Sequence, residues 1–83
     1  MNRVITERDV RLAAKLEDTR ETIRRLWGDD YEKHIAPHRD LVRAAMLKHG
    51  AQALAVPALV QDQLTPMQLL AVIAAAVDVS EET

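Results

Sequence analysis

Thr65-Pro66-Met67-Gln68-Leu69-Leu70-Ala71-Val72-Ile73-Ala74-Ala75-Ala76-Val77 joins the best-marked helix start in the chain to its longest unbroken apolar run. Thr65 reads as the cap, and Pro66 suits the first helical position. Gln68, three residues after the cap, can reach back to the cap backbone. Leu64 and Leu69 are spaced to clasp across that start as a hydrophobic staple. A helix over 66–79 follows, apolar on every face from Leu69 to Val77. Such a helix must be covered all round. In a chain of 83 residues it is either the centre of a bundle or part of an interface between chains.

Charge divides the chain in the same place. All 11 lysines and arginines lie at or before Lys48, and residues 49–83 carry only the acids Asp62, Asp78, Glu81 and Glu82. Of the last 35 residues, 20 are Ala, Val, Leu, Ile or Met. A domain of this length buries roughly 60–65% of its unfolded surface, so its stability is marginal without a staple or a partner. With no cysteine there is neither a disulfide nor a thiolate zinc site. Part of the apolar half is therefore expected to meet another chain.

Upstream, Thr6 with Glu7, Arg8 and Asp9 approximates a capping box. Behind it Leu12, Leu16, Thr19, Ile23 and Leu26 recur at helical spacing on one stripe, and Gly28 supplies a stop. Helix 7–27 is expected to lay that stripe on the later helices. Glu7 with Arg11, Glu17 with Arg20, and Glu21 with Arg24 and Arg25 form pairs worth ~0.2–0.5 kcal/mol each. Asp29-Asp30-Tyr31-Glu32 opens a short turn over 30–35, which Pro37 is expected to end. Pro37 then begins a helix over 37–49, with Leu41, Val42, Ala45 and Met46 inward and Gly50 as its stop. Residues 51–63, divided by Pro57, read as short helical turns. The expected fold is an all-α bundle of three main helices in one domain, with residues 1–5 and 80–83 frayed.

Composition narrows the function classes. Residues Met1–Glu7 have no apolar core of signal-peptide length, and the nine-residue run Leu69–Val77 falls short of the ~20 residues a membrane span needs. A cytoplasmic protein without membrane contact is expected. No nucleophile–base constellation stands out: the only serine is Ser80, and Gly28 and Gly50 are isolated helix stops rather than a phosphate loop. An enzyme is not expected, nor is a cofactor. His34 and His38 have a spacing usable by two zinc ligands, but Pro37 lies between them and no His-Glu-x-x-His pattern exists, so no metal is expected.

Nucleic-acid binding is the competing class. Thr65–Leu70 could open a positioning helix, but nothing basic follows it to reach base edges. The basic candidates are Arg8, Arg11 and Lys15, and Arg39, Arg43 and Lys48. The second set could touch phosphates, and a small DNA-binding regulator using it is the alternative reading. The leading reading is contact with protein. Trp27 and Tyr31 are the only aromatics, and with Arg24, Arg39 and Arg43 they form the expected partner-binding set, since Trp, Tyr and Arg dominate interface hot spots. A homodimer is expected through Leu69, Leu70, Ile73 and Val77.

Leu26-Trp27-Gly28-Asp29-Asp30-Tyr31, with Pro37-His38-Arg39 and Val42-Arg43-Ala44-Ala45-Met46, resembles small helical accessory proteins of Mu-like temperate bacteriophages over about residues 20–48. That resemblance implies a compact phage or prophage protein that binds a bacterial host protein and inhibits it. It carries no functional residues across.

Overall fold

The four helices are α1 (Glu7–Trp27), α2 (Tyr31–His49), α3 (Val56–Val60) and α4 (Pro66–Glu81), joined by 3-10 turns at Gly28–Asp30, Ala53–Ala55 and Gln61–Gln63. They belong to a computed structural model that describes residues 6–82 and every side chain in that span except that of Asp9. No strand occurs among the described residues, and the fold is a small all-α bundle of three long helices. Its extents are 40 × 27 × 25 Å.

α4 is the central element, packed against α1, α2 and the 53–60 segment. Its start has both halves of a capping box: the Gln68 amide donates to Thr65 Oγ1 at 3.2 Å, and the Thr65 amide donates to Gln68 Oε1 at 2.9 Å. Ala71, Val72, Ala74, Ala75, Ala76, Val77 and Val79 are all buried. The alanines matter for geometry, because interaxial distances depend on side-chain size and methyl groups let neighbouring helices come close. The largest core side chains come from the covering helices, Ile23 of α1 and Tyr31 and Ile35 of α2, while Val42, Val56 and Val60 match the valines of α4 itself. Burying each is worth roughly 1.5–3 kcal/mol.

Both glycines stop helices as their positions suggest. Gly28 and Gly50 have φ of +54° and +61°, the left-handed region that only glycine enters at no steric cost. The Gly50 and Ala51 amides return to the Met46 carbonyl to close the end of α2.

Five expectations need correction. The inward stripe of α1 is not the one centred on leucine. Ile23 is buried and Leu16 half-buried, but Leu12 and Leu26 are 56% and 59% exposed. The helix instead turns Leu16, Arg20, Ile23 and Trp27 inward, also at helical spacing, with an arginine where an aliphatic would be expected. Pro37 does not separate two elements, because α2 runs through it from Tyr31 to His49. Flanking turns and the buried residues Ile35 and Val42 hold the helix across the hydrogen bond that proline cannot donate. In the same helix Leu41 faces outward, 38% exposed. Pro57 likewise does not divide its segment but sits, buried, in the first turn of α3, where a missing N–H costs nothing. Finally, α4 continues to Glu81, with Val79 buried and Glu81 and Glu82 held by arginines. The expected fraying of residues 1–5, and the acid at Asp9 in the Thr6 cap, lie outside what the structure describes.

Pro37 leaves the Lys33 carbonyl without its helical donor, and it is itself exposed. Pro37→Ala should restore that bond and remove the ring clash. After allowing ~1 kcal/mol for the greater freedom of the unfolded chain, a net stabilisation of about 2 kcal/mol is expected. Thermal unfolding followed by circular dichroism should show a midpoint raised by several degrees, and a lowered midpoint would mean that the proline is needed where it is.

Candidate functional site

The C-terminal end of α4 collects most of the molecule's tertiary polar contacts. A helix C-terminus carries partial negative charge, so Asp78, Glu81 and Glu82 there need cations from elsewhere. With no lysine or arginine after Lys48, those cations can come only from the front of the chain.

Asp78 is at the centre, its side chain 8% exposed. One carboxylate oxygen accepts from Arg20 at 3.1 Å, with Arg24 at 3.6 Å. The other accepts from the Tyr31 hydroxyl at 2.6 Å, with Arg39 at 3.9 Å. Arg20 is as deeply buried as its partner and also forks onto Glu81, at 2.6 and 2.9 Å, and onto Glu17 at 2.7 Å. Its Nε is the one buried side-chain polar atom among the described residues without a hydrogen-bond partner. Farther out, Arg43 forks onto Glu82 and bonds Asp40, and Arg39 bonds Glu32. One acidic helix end is thereby tied to α1 through Arg20 and Arg24, and to α2 through Tyr31, Arg39 and Arg43.

The titrations follow from this geometry. Hydrogen bonding to Arg20 holds Glu81 below the usual carboxylate range, and Arg43 does the same for Glu82. Burial, reinforced by the bond to Asp78, pushes the Tyr31 hydroxyl well above its ordinary value, with Arg24 opposing. The Arg24 guanidinium lies 5.2 Å from the Tyr31 ring centroid, within cation–π range.

The expected partner-binding residues are thus brought together, though not as a uniform exposed patch. Tyr31 is 6% exposed and belongs to the core, with its hydroxyl bonded inward. Arg24 lies over its ring and Arg39 near its Asp78 partner, while Arg43 sits farther along α2, and each is already paired with an acid. Trp27 is half-buried against the core, its ring 6.3 Å from Tyr31, 5.1 Å from His34 and 6.4 Å from His38. His38 Nδ1 lies 3.1 Å from the His34 carbonyl oxygen. Among the described residues no group of three or more His, Asp or Glu side chains is placed to hold a metal ion.

The expected dimer residues divide. Leu70 is exposed, Leu69 and Ile73 are half-buried, and Val77 is covered by its own chain. Val77 is corrected from interface to interior: its face of α4 is turned toward α1 and Leu54 and forms the floor of a shallow groove of about 380 Å³. Ala13, Ala14, Leu16 and Leu54 supply the apolar walls, and Glu17, Ser80 and Glu81 line the rest. Beside the groove the first half of α1 is open to solvent, with Val10 and Leu12 more than half exposed.

Sequence reasoning did not single out Arg20 and Asp78 as a pair. One signal was available: Asp78 follows nine apolar residues with no basic residue within a helical turn, so a buried acid there requires a distant cation. No family model matches this chain, and neither curated proteins nor solved structures yield a match.

Tyr31 is the only tyrosine, so its ionisation can be followed directly in the ultraviolet. Little tyrosinate should form at the usual value near 10.0 while the protein stays folded, and Asp78→Asn should move ionisation downward. Asp78→Asn should also cost about 3 kcal/mol, because it leaves Arg20 buried with less compensation. For Glu81 and Glu82 the sign runs toward acid. Their folded values lie below the usual 4.5, so they stabilise the fold above that pH and cease to do so as pH falls below it. Melting temperature should therefore drop on acidification below 4.5, and more shallowly in Glu81→Gln. An identical acid profile in wild type and variant would remove Glu81 from the lock.

Proposed function

We propose that this chain is a non-catalytic protein-binding module. The observation that supports the reading is the first half of α1: a long helix whose apolar residues Val10 and Leu12 stand in solvent beside an apolar groove. Large apolar side chains exposed on a helix next to an apolar concavity favour contact with protein. The groove's chemistry argues against a reactive site, because Glu81 is held ionised by Arg20 and Glu17 bonds the same guanidinium. The resemblance to phage accessory proteins adds that a partner would be a bacterial host protein inhibited by contact.

The alternative, a DNA-binding regulator working through Arg39, Arg43 and Lys48, loses support from the same geometry. Arg39 and Arg43 already hold Glu32, Asp40 and Glu82, and phosphate would have to displace those acids. Among the described residues no helix is long and apolar enough to cross a membrane.

Cross-linking in the cell with tagged protein tests the reading. Wild type should be joined to a protein neighbour, its own chain or another, and Leu12→Asp, at an exposed position, should lose that neighbour while keeping its helical spectrum. If wild type and Leu12→Asp give the same pattern, protein contact through α1 is wrong.

A further inference from the structure

The groove and the open half of α1 are complementary to one another as well as adjacent. The groove's lining carries two acids, Glu17 and Glu81, and no cation. Both acids also bond Arg20 behind the lining but keep more than half of their side-chain surface open. Residues 8–15 of α1 carry three cations, Arg8, Arg11 and Lys15, against one acid, Asp9, around Val10 and Leu12, a net charge of +2. Among the described residues Arg11 is paired with Glu7, in a pair about three-quarters or more exposed on both sides. Such a pair contributes little and exchanges readily for another acid. A basic helix presenting one or two aliphatic side chains would suit the groove, and this chain displays such a helix on its own surface.

The two features also lie in the right order for reciprocal use. Val10 stands one helical turn before Ala13 and Ala14, which form part of the groove wall, and Glu17 follows one turn later. Two α1 helices set antiparallel about a twofold axis between Ala13 and Ala14 place Val10 of each copy opposite Glu17 and the groove of the other. Arg11 then approaches the same acidic rim. Alanine at the crossing point allows the helix axes to come close. A twofold contact of this kind uses the same patch on both copies and closes on itself without leaving a sticky end.

We infer that the partner of this surface is a second copy of the same chain, paired antiparallel through α1 with each copy's Val10 entering the other's groove. The inference rests on the protein-binding reading above and makes it specific. It places the dimer contact on α1 and the groove, and leaves the exposed Leu70 face of α4 outside it.

The chain has no cysteine, so single cysteines report proximity without background. Ala14→Cys should be joined to its symmetry mate by a short bismaleimide in high yield, whereas Leu70→Cys should not. Light scattering on a sizing column should give twice the 9.3 kDa chain mass for wild type. Val10→Asp, at a position 60% exposed and so harmless to the fold, should weaken association by roughly tenfold or more while keeping the helical spectrum. A 9.3 kDa species throughout a concentration series overturns the inference. So does a dimer that tolerates Val10→Asp, or one cross-linked through Leu70→Cys and not Ala14→Cys. If wild type is monomeric yet is cross-linked in the cell to a different protein that Leu12→Asp loses, the self-pairing is wrong and the protein-binding reading stands.

Discussion

A helix that is apolar on all its faces cannot exist alone in water, and the burial of α4 is the constraint from which the remaining packing follows. Its core positions are mostly alanine and valine, so its own side chains supply little bulk. The bulkiest side chains come from α1 and α2, which contribute Ile23, Tyr31 and Ile35, while Val42, Val56 and Val60 equal α4's own Val72 and Val79. Small residues at the centre and large ones around it interdigitate at short interaxial distance, which is how so short a chain closes a core without phenylalanine.

Apolar cover is not directional, and α1 or α2 could slide along α4 with little change in buried area. The arginine–carboxylate end removes that freedom. Asp78, buried and ionic, is tolerable only if Arg20 and Tyr31 arrive at fixed positions, and each belongs to a different covering helix. Replacing such a buried pair with aliphatics often gains stability, so its value here is in fixing register. Outer pairs such as Arg43 with Glu82, whose side chains are both nearly half exposed, extend the lock but carry less weight because water screens them.

The same lock shapes the functional reading. By drawing Tyr31, Arg24, Arg39 and Arg43 into one internal network, it makes the aromatic and basic residues parts of the scaffold. The apolar side chains Val10 and Leu12, exposed on the charged first half of α1, and the groove beside that helix lie outside this network. The proposed self-pairing uses the basic front of the chain against acids from its apolar rear, the complementarity that α1 and α4 already exploit within one chain.

The sequence alone determined the local features. The Thr65–Gln68 capping box, the helix stops at Gly28 and Gly50, the burial of most of α4 from Ala71 to Val79 and the all-α class depend on neighbours within a few residues or on period, and these are legible in one dimension; that Met67 and Leu70 stay exposed is not. Tertiary structure decided which stripe of α1 faces inward. Leu12, Leu16, Thr19, Ile23 and Leu26 and the alternative Leu16, Arg20, Ile23 and Trp27 are both helical stripes, and only the distant Asp78 and Glu81 make the one bearing a charge the better buried. It decided as well that Pro37 lies within a continuous helix, since packing of Ile35 and Val42 on α4 outweighs one lost hydrogen bond. Position in the chain sets hydrogen-bonding and rotational preference, but the balance of desolvation against pairing for a buried charge depends on groups that meet only when the chain is folded.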